Sequence, residues 1–425
     1  MKDLFNLSVY WLLAFFILVL CLLLLVDAAL PQLQLYFFDR ILVGNAVMKV
    51  ILLATVALGS LMHPAIRLTR LPLLAWALCI CYLVADIAYL SWARSMSLGD
   101  VLLSYNGYYF LLLLGPALLA FRDTISERFI VRCIVFLFVV CAAVAIAQHL
   151  TDSPLLHTES ADGAFEVQSP TFFGDVRAFS LFTSAMDFGL FCALCGALGV
   201  ALSRRLPVRG AALLGIAAVG CFTTLTRLCY VVFICACSYA LVLTYGKKSA
   251  RGRWYPLIYC ALGISTVVAG LYSFLGGDTS NIQDASSLME RIGQWAYYSD
   301  LISQSTLAEK SFGLGIVQLK KIVPAFPMVI DNVPLALILH IGLVGLVFVA
   351  ILMFQMWLYV RREALSTQQP FIIAAASLWA TLACAGIFNI VFSSFGIVFA
   401  LTVLCRKDSS LKQSECGPGS PVISV

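Results

Sequence analysis

Residues Val9–Val26 read VYWLLAFFILVLCLLLLV. The run carries no charge, and about 20 apolar residues at 1.5 Å rise are what a bilayer core demands of a spanning helix. It is longer than the 7–15 residues of a signal-peptide apolar region, and no A-x-A site follows it. It reads as a retained first membrane helix. Outward from it, further apolar runs fall near 41–62, 71–92, 101–121, 129–149, 179–202, 208–225, 227–245, 255–275, 333–359, 370–386 and 389–405. The last two are one stretch that needs a turn, for which Gly386 and Asn389 supply the break. The sequence therefore predicts an all-α, polytopic integral membrane protein with about twelve transmembrane helices.

Composition agrees. Of 425 residues, 62% are hydrophobic and 12% charged, and mean hydropathy is +0.97. A soluble domain carries about twice that charge, and disorder needs low hydrophobicity. No segment shows the alternating strands of a membrane barrel. No basic tract with interleaved aromatics suggests nucleic acid. The 15 cysteines lie almost wholly in apolar runs, and the long polar loops near 150–178 and 276–331 hold none. That excludes a secreted disulfide framework. Cys192 and Cys195 form a C-x-x-C inside a membrane run, where small buried apolar side chains are the plain reading.

Basic residues set the expected orientation. With a cytoplasmic N-terminus, 18 of them fall inside: Lys2, Arg67, Arg70, Arg122, Arg128, Arg132, Arg204, Arg205, Arg209, Lys247, Lys248, Arg251, Arg253, Arg361, Arg362, Arg406, Lys407 and Lys412. Eight fall outside: Arg40, Arg94, Arg177, Arg227, Arg291, Lys310, Lys320 and Lys321. Both termini are then cytoplasmic. Residues 1–425 form one membrane domain, 406–425 a cytoplasmic tail, and 276–331 a long periplasmic loop between helices nine and ten. In that loop Ser287-Leu288-Met289-Glu290 fits a capping box. Residues 287–305 follow as an amphipathic helix over the membrane domain, and Gly313-Leu314-Gly315 ends the structured part.

Ionisable residues inside a span face a cavity or a partner. Lys49, Asp86 and Asp187 each stand six to eight residues from the outer end of their runs, or ~9–12 Å deep. Lys49 and Asp86, on sequential helices, could pair. Two readings stand: a structural ion pair with a snorkelling lysine, or one water-filled hollow open to the outside. His340, nine residues into helix ten, reads as a packed structural side chain or an assisting group. Three arginines face outward. Arg177 precedes helix six, Arg227 sits in the turn Thr224-Leu225-Thr226-Arg227, and Arg291 starts the loop helix. Their planar forks suit a diphosphate; anchoring at the interface is the plainer alternative.

Four stretches carry a resemblance. They are Arg177-Ala178-Phe179-Ser180-Leu181-Phe182, then Thr226-Arg227, then Glu290-Arg291-Ile292-Gly293-Gln294-Trp295 with Gly313-Leu314-Gly315, and finally Asp331-Asn332-Val333-Pro334-Leu335 with Ile341-Gly342-Leu343-Val344-Gly345. In this order the second half of the chain resembles the bacterial O-antigen polymerase and ligase superfamily, enzymes of undecaprenyl-diphosphate-linked sugars. The resemblance implies an inner-membrane glycosyltransferase acting on the periplasmic side. Arg177, Arg227 and Arg291 would bind the lipid diphosphate. Asp331 would be the catalytic base and Asn332 would orient sugar hydroxyls. Asp331 stands where the ligases have His, which favours the polymerase branch. The partners implied are undecaprenyl-diphosphate-linked glycans in the bilayer, with a flippase and a chain-length regulator. No nucleotide loop or metal cluster is expected, and no cofactor. The alternatives are a ligase that moves finished glycan to another acceptor, and a secondary transporter.

Overall fold

The computed structural model describes residues 2–38, 41, 44–62, 70–109, 118–155, 171–172, 175–246, 295–315, 333–385 and 392–406. They form an all-α membrane protein. The helices are α1 (Lys2–Leu25), α2 (Ala29–Phe38), α3 (Asn45–Met62), α4 (Arg70–Trp92), α5 (Leu98–Tyr108), α6 (Glu127–Thr151) and α7 (Ala185–Ser203). There follow α8 (Pro207–Thr223), α9 (Arg227–Tyr245), α10 (295–304), α11 (Leu307–Phe312), α12 (Val333–Thr367), α13 (Pro370–Ala385) and α14 (Phe392–Leu404). Among the described residues five helices are long and apolar enough to cross a membrane, or six if a bent pair counts as one span. The run at 255–275, the capping box at 287–290 and the break at Gly386 and Asn389 lie outside the described residues.

The bent pair is α1 and α2, which meet at 81°. Pro31 is the cause. It has no N–H for the Asp27 carbonyl four residues earlier, and its ring clashes there, so α1 cannot run on. The freed Asp27 carbonyl accepts from Asn45 Nδ2 at 3.2 Å instead.

At the centre stands α7. Its residues Phe188, Phe191, Cys192, Cys195 and Leu198 are at most 2% exposed. A helix apolar on every face belongs inside, and this one packs against α8, α9 and α13. Glycine lets α8 come close: a Cβ on Gly210 would lie 2.6 Å from the Gly199 carbonyl and the Ser203 nitrogen. Backbone cannot yield as a side-chain tip can. Gly210→Ala should therefore destabilise by about 1–3 kcal/mol through overpacking. Gly215→Ala on the same helix, where a Cβ meets nothing within 4 Å, should be neutral or stabilising by up to ~1 kcal/mol. Thermal unfolding of the two variants in detergent checks the contrast.

The expected sixth helix, from 179, begins later. Ser184 caps α7 by accepting from the Asp187 backbone N–H at 3.1 Å. The backbone before it bonds elsewhere. Ala178 N donates to Thr223 O at 3.1 Å. Ser180, at φ 55°, donates its N–H to Gln148 Oε1 at 2.8 Å. Irregular backbone at membrane depth is tolerated only where protein groups satisfy it. The final long helix also differs from expectation. α12 runs to Thr367, and Gly342 inside it takes φ 70°, so it is two helices across a kink.

Candidate functional site

The break between α1 and α2 opens onto a cavity of about 160 Å³. Asp27, Asn45, Lys49 and Asp187 are its polar lining; Leu24, Phe182, Leu378 and Ile397 are among its apolar walls. Asp27 is held from the 177–184 segment, accepting from Thr183 N at 2.9 Å and Thr183 Oγ1 at 2.5 Å. Asp187, in the first turn of α7, accepts from Ser184 Oγ at 2.8 Å. The positive end of the α7 dipole lies beside it. Lys49 enters from α3, attracted by the Asp27 charge. Two carboxyl groups and one amine thus share a small space, with room for a few waters.

Of the three intramembrane charges, Lys49 and Asp187 meet here. Asp86 does not, so the expected Lys49–Asp86 pair is replaced by Lys49 beside Asp27 and Asp187. The sequence reading missed Asp27, which stood at the end of its first run. The signal was there: an Asp four residues before a Pro marks both a helix break and a free carbonyl.

Asp86 belongs to a second centre. It is 0% exposed, and Tyr105 Oη of α5 donates to its Oδ2. The Tyr105 and Tyr109 rings lie 5.5 Å apart, and Tyr109 Oη stands 3.5 Å from His340 Nδ1. His340, 4% exposed, is on α12 just before the kink. Asp86 and His340, placed by sequence in one hollow with Lys49, share this polar cluster instead.

A strap, residues 306–315, lies over the second centre. Thr306 and Glu309 form a full capping box that starts α11. The T-L-A-E pattern was legible but unread; the sequence reading looked to 287–290. Glu309 is tied to Arg94 at the end of α4. Gly313 (φ 82°) and Gly342 touch backbone to backbone: a Cβ on Gly342 would sit 2.1 Å from the Ser311 carbonyl. The Arg94 guanidinium, helped by Thr306, holds the Glu309 carboxyl down to about 2. The contact is therefore fully formed above the ordinary glutamate value and is lost as pH falls towards about 2. Protection against hydrogen exchange across 306–312, taken relative to the intrinsic rate at each pH, should fall in that acid window. In Glu309→Gln it should already be low at neutral pH and change little with acid.

The third feature is the end of the bundle that carries Arg177 and Arg227. The Ala178–Thr223 bond sets the Arg177 segment against the α8–α9 turn. Arg177 is half-buried; Arg227 is exposed as the first residue of α9. Thr226, before it, donates its hydroxyl to Thr224 O at 2.9 Å and does not cap α9. The first-turn N–H groups there point to where an anion would be welcome. Arg291, Asp331 and Asn332 lie outside the described residues. Among the described residues no three His, Cys, Asp or Glu side chains converge as metal ligands. No protein-family model matches the chain, and no curated protein matches it.

Proposed function

We propose that this chain is a bacterial inner-membrane glycosyltransferase that polymerises undecaprenyl-diphosphate-linked repeat units of a surface polysaccharide. In this reading it has twelve spans, both termini in the cytoplasm, and its active site on the periplasmic side. The observation that supports the reading is the Ala178–Thr223 hydrogen bond, which brings the segment carrying Arg177 to the turn that leads to Arg227 and the uncapped N-terminus of α9. Glycosyl transfer needs the departing diphosphate stabilised by preorganised donors. It needs a base within reach of the acceptor hydroxyl, the role given to Asp331 with Asn332 beside it. It also needs water kept from the anomeric carbon. The lipid diphosphate supplies the energy, so neither metal nor nucleotide enters. A flippase would deliver the substrate and a chain-length regulator would limit the product.

A second reading is a secondary transporter. The observation in its favour is the discontinuous first helix beside the charged Asp27–Lys49–Asp187 cavity, since broken helices bind coupling ions in many transporters. The ligase reading differs from the polymerase only in the acceptor. Gene deletion separates the three. Loss of a polymerase leaves single repeats on the acceptor, loss of a ligase leaves unattached polymer, and loss of a transporter does neither. Within the polymerase reading, Asp331→Asn keeps the size and the capping ability of the side chain but removes the base. It should nearly abolish polymer while lipid-linked donor still binds. A fully active Asp331→Asn variant would leave Asp331 only a helix cap.

A further inference from the structure

Asp86 has an unmet need. Its Oδ2 receives the Tyr105 hydroxyl, but among the described residues no donor reaches Oδ1, and the residue is 0% exposed. A buried acceptor without a donor is costly, so such a group calls for an explanation. Tyr82 and Tyr89 stand one turn to either side of it on the same face of α4, at spacings of four and three. The Phe312 ring of the strap packs on both, 6.2 Å from Tyr82 and 5.2 Å from Tyr89. Phe312 therefore bridges the two tyrosines that flank Asp86 on this face of α4, as a stopper would.

What holds the stopper is light. Tyr82 Oη donates to Ile341 O and, at 3.3 Å, to Ser311 O, so one hydroxyl fastens both the strap and the kinked helix. Leu314 N donates to Leu339 O at 2.8 Å. The ion pair of Arg94 with Glu309 closes the far end. No residue of α11 itself is buried, and elements with few buried contacts open at low free energy; Gly313 to Gly315, which are buried, anchor its C-terminal end as a hinge.

We propose that Asp86, with Tyr105, Tyr109 and His340, is a binding centre for an uncharged hydroxyl-bearing ring, and that the strap 306–315 is its gate. The ligand class follows from the lining. A hydroxyl can donate to Asp86 Oδ1 without carrying a second charge into a site that is 0% exposed. The carboxylate repels an anion, and the nearby Arg94 is already engaged by Glu309. Aromatic faces of Tyr82, Tyr105 and Tyr109 suit the apolar side of a sugar ring, which is larger than the phenyl ring of Phe312 and so needs the strap to swing away rather than the ring alone. Naming that ring as a sugar of the acceptor glycan rests on the glycosyltransferase reading; the centre and its gate do not. The diphosphate would bind apart, at Arg177 and Arg227.

The test labels buried carboxyls with dicyclohexylcarbodiimide, which adds to them covalently, and reads each site by peptide mass spectrometry of the full chain in detergent. Asp27 and Asp187 are internal references. Phe312→Ala should speed Asp86 labelling about tenfold through lost aromatic contacts. Tyr82→Phe should speed it about fivefold through the lost hydrogen bond. The rates at Asp27 and Asp187 should stay unchanged. In Phe312→Ala, methyl glycosides of hexoses and N-acetylhexosamines should slow Asp86 labelling, and inorganic pyrophosphate should not. Equal labelling in both variants and the parent overturns the gate. Protection by pyrophosphate, or by no glycoside, overturns the binding centre. Neither result touches the polymerase reading, which stands or falls on polymer length.

Discussion

Lys49→Met is expected to destabilise the folded protein by about 3 kcal/mol, the low end for breaking a buried ion pair, because Lys49 is only partly buried. Among the described residues the cavity lining then holds Asp27 and Asp187 with no basic side chain. Asp187 keeps the positive end of the α7 dipole and the Ser184 hydroxyl. Asp27, between the negative end of α1 and the positive end of α2, keeps the Thr183 donors and the backbone N–H groups of Asp27 and Ala28. Either Asp27→Asn or Asp187→Asn should thus rescue Lys49→Met in part, because each removes one of the two carboxyl groups left facing each other. Thermal unfolding of the purified single and double variants measures this. A Lys49→Met variant as stable as the parent would mean that Lys49 carries no compensating charge in the cavity.

The helices were legible because hydropathy reports on them directly. The runs at 71–92, 129–149, 208–225 and 227–245 agree within two residues with α4, α6, α8 and α9. What hydropathy does not see is backbone that is apolar yet not helical. Ala178 to Phe182 reads as the start of a span, but its polar groups are met by Gln148, Thr223, Cys141 and Ala28 from distant parts of the chain. No local pattern announces such partners. The break at Asp27 was readable from Pro31, and α11 from Thr306 and Glu309.

The pairing of intramembrane charges failed for a different reason. Depth along a helix is one coordinate, and Lys49, Asp86 and Asp187 share it. Which helices touch is another coordinate, and order in the chain does not determine it. α4 packs on α12 and α5, not on the α1–α3–α7 cavity. Asp86 therefore found two tyrosines and a histidine where a lysine was expected. Gly342 shows the same limit from the other side. The Gly-rich stretch at 341–345 was visible, but that it marks a kink depends on the strap pressed against it, whose Ser311 carbonyl leaves no room for a Cβ.

The second large effect concerns the arginines. Arg177→Lys and Arg227→Lys each keep the charge and lose the planar fork that grips a diphosphate with two parallel bonds. If these groups stabilise the departing diphosphate, each variant should lower polymer formation about a hundredfold, the usual cost of one preorganised donor. Membrane levels should stay near those of the parent, because Arg227 is exposed and a lysine preserves the local charge. The two losses should not simply multiply. The Ala178–Thr223 bond sets the Arg177 segment against the turn before Arg227, and in the proposed reading groups acting on one leaving group behave as a unit. Arg227→Gln should be worse than Arg227→Lys, since at α9 only the fractional charge of its first turn then supports Arg177 against the anion. Polymer length on the acceptor, read by gel, is the measurement. Full-length polymer from both Lys variants would remove diphosphate binding from Arg177 and Arg227, and with it the observation on which the glycosyltransferase reading rests.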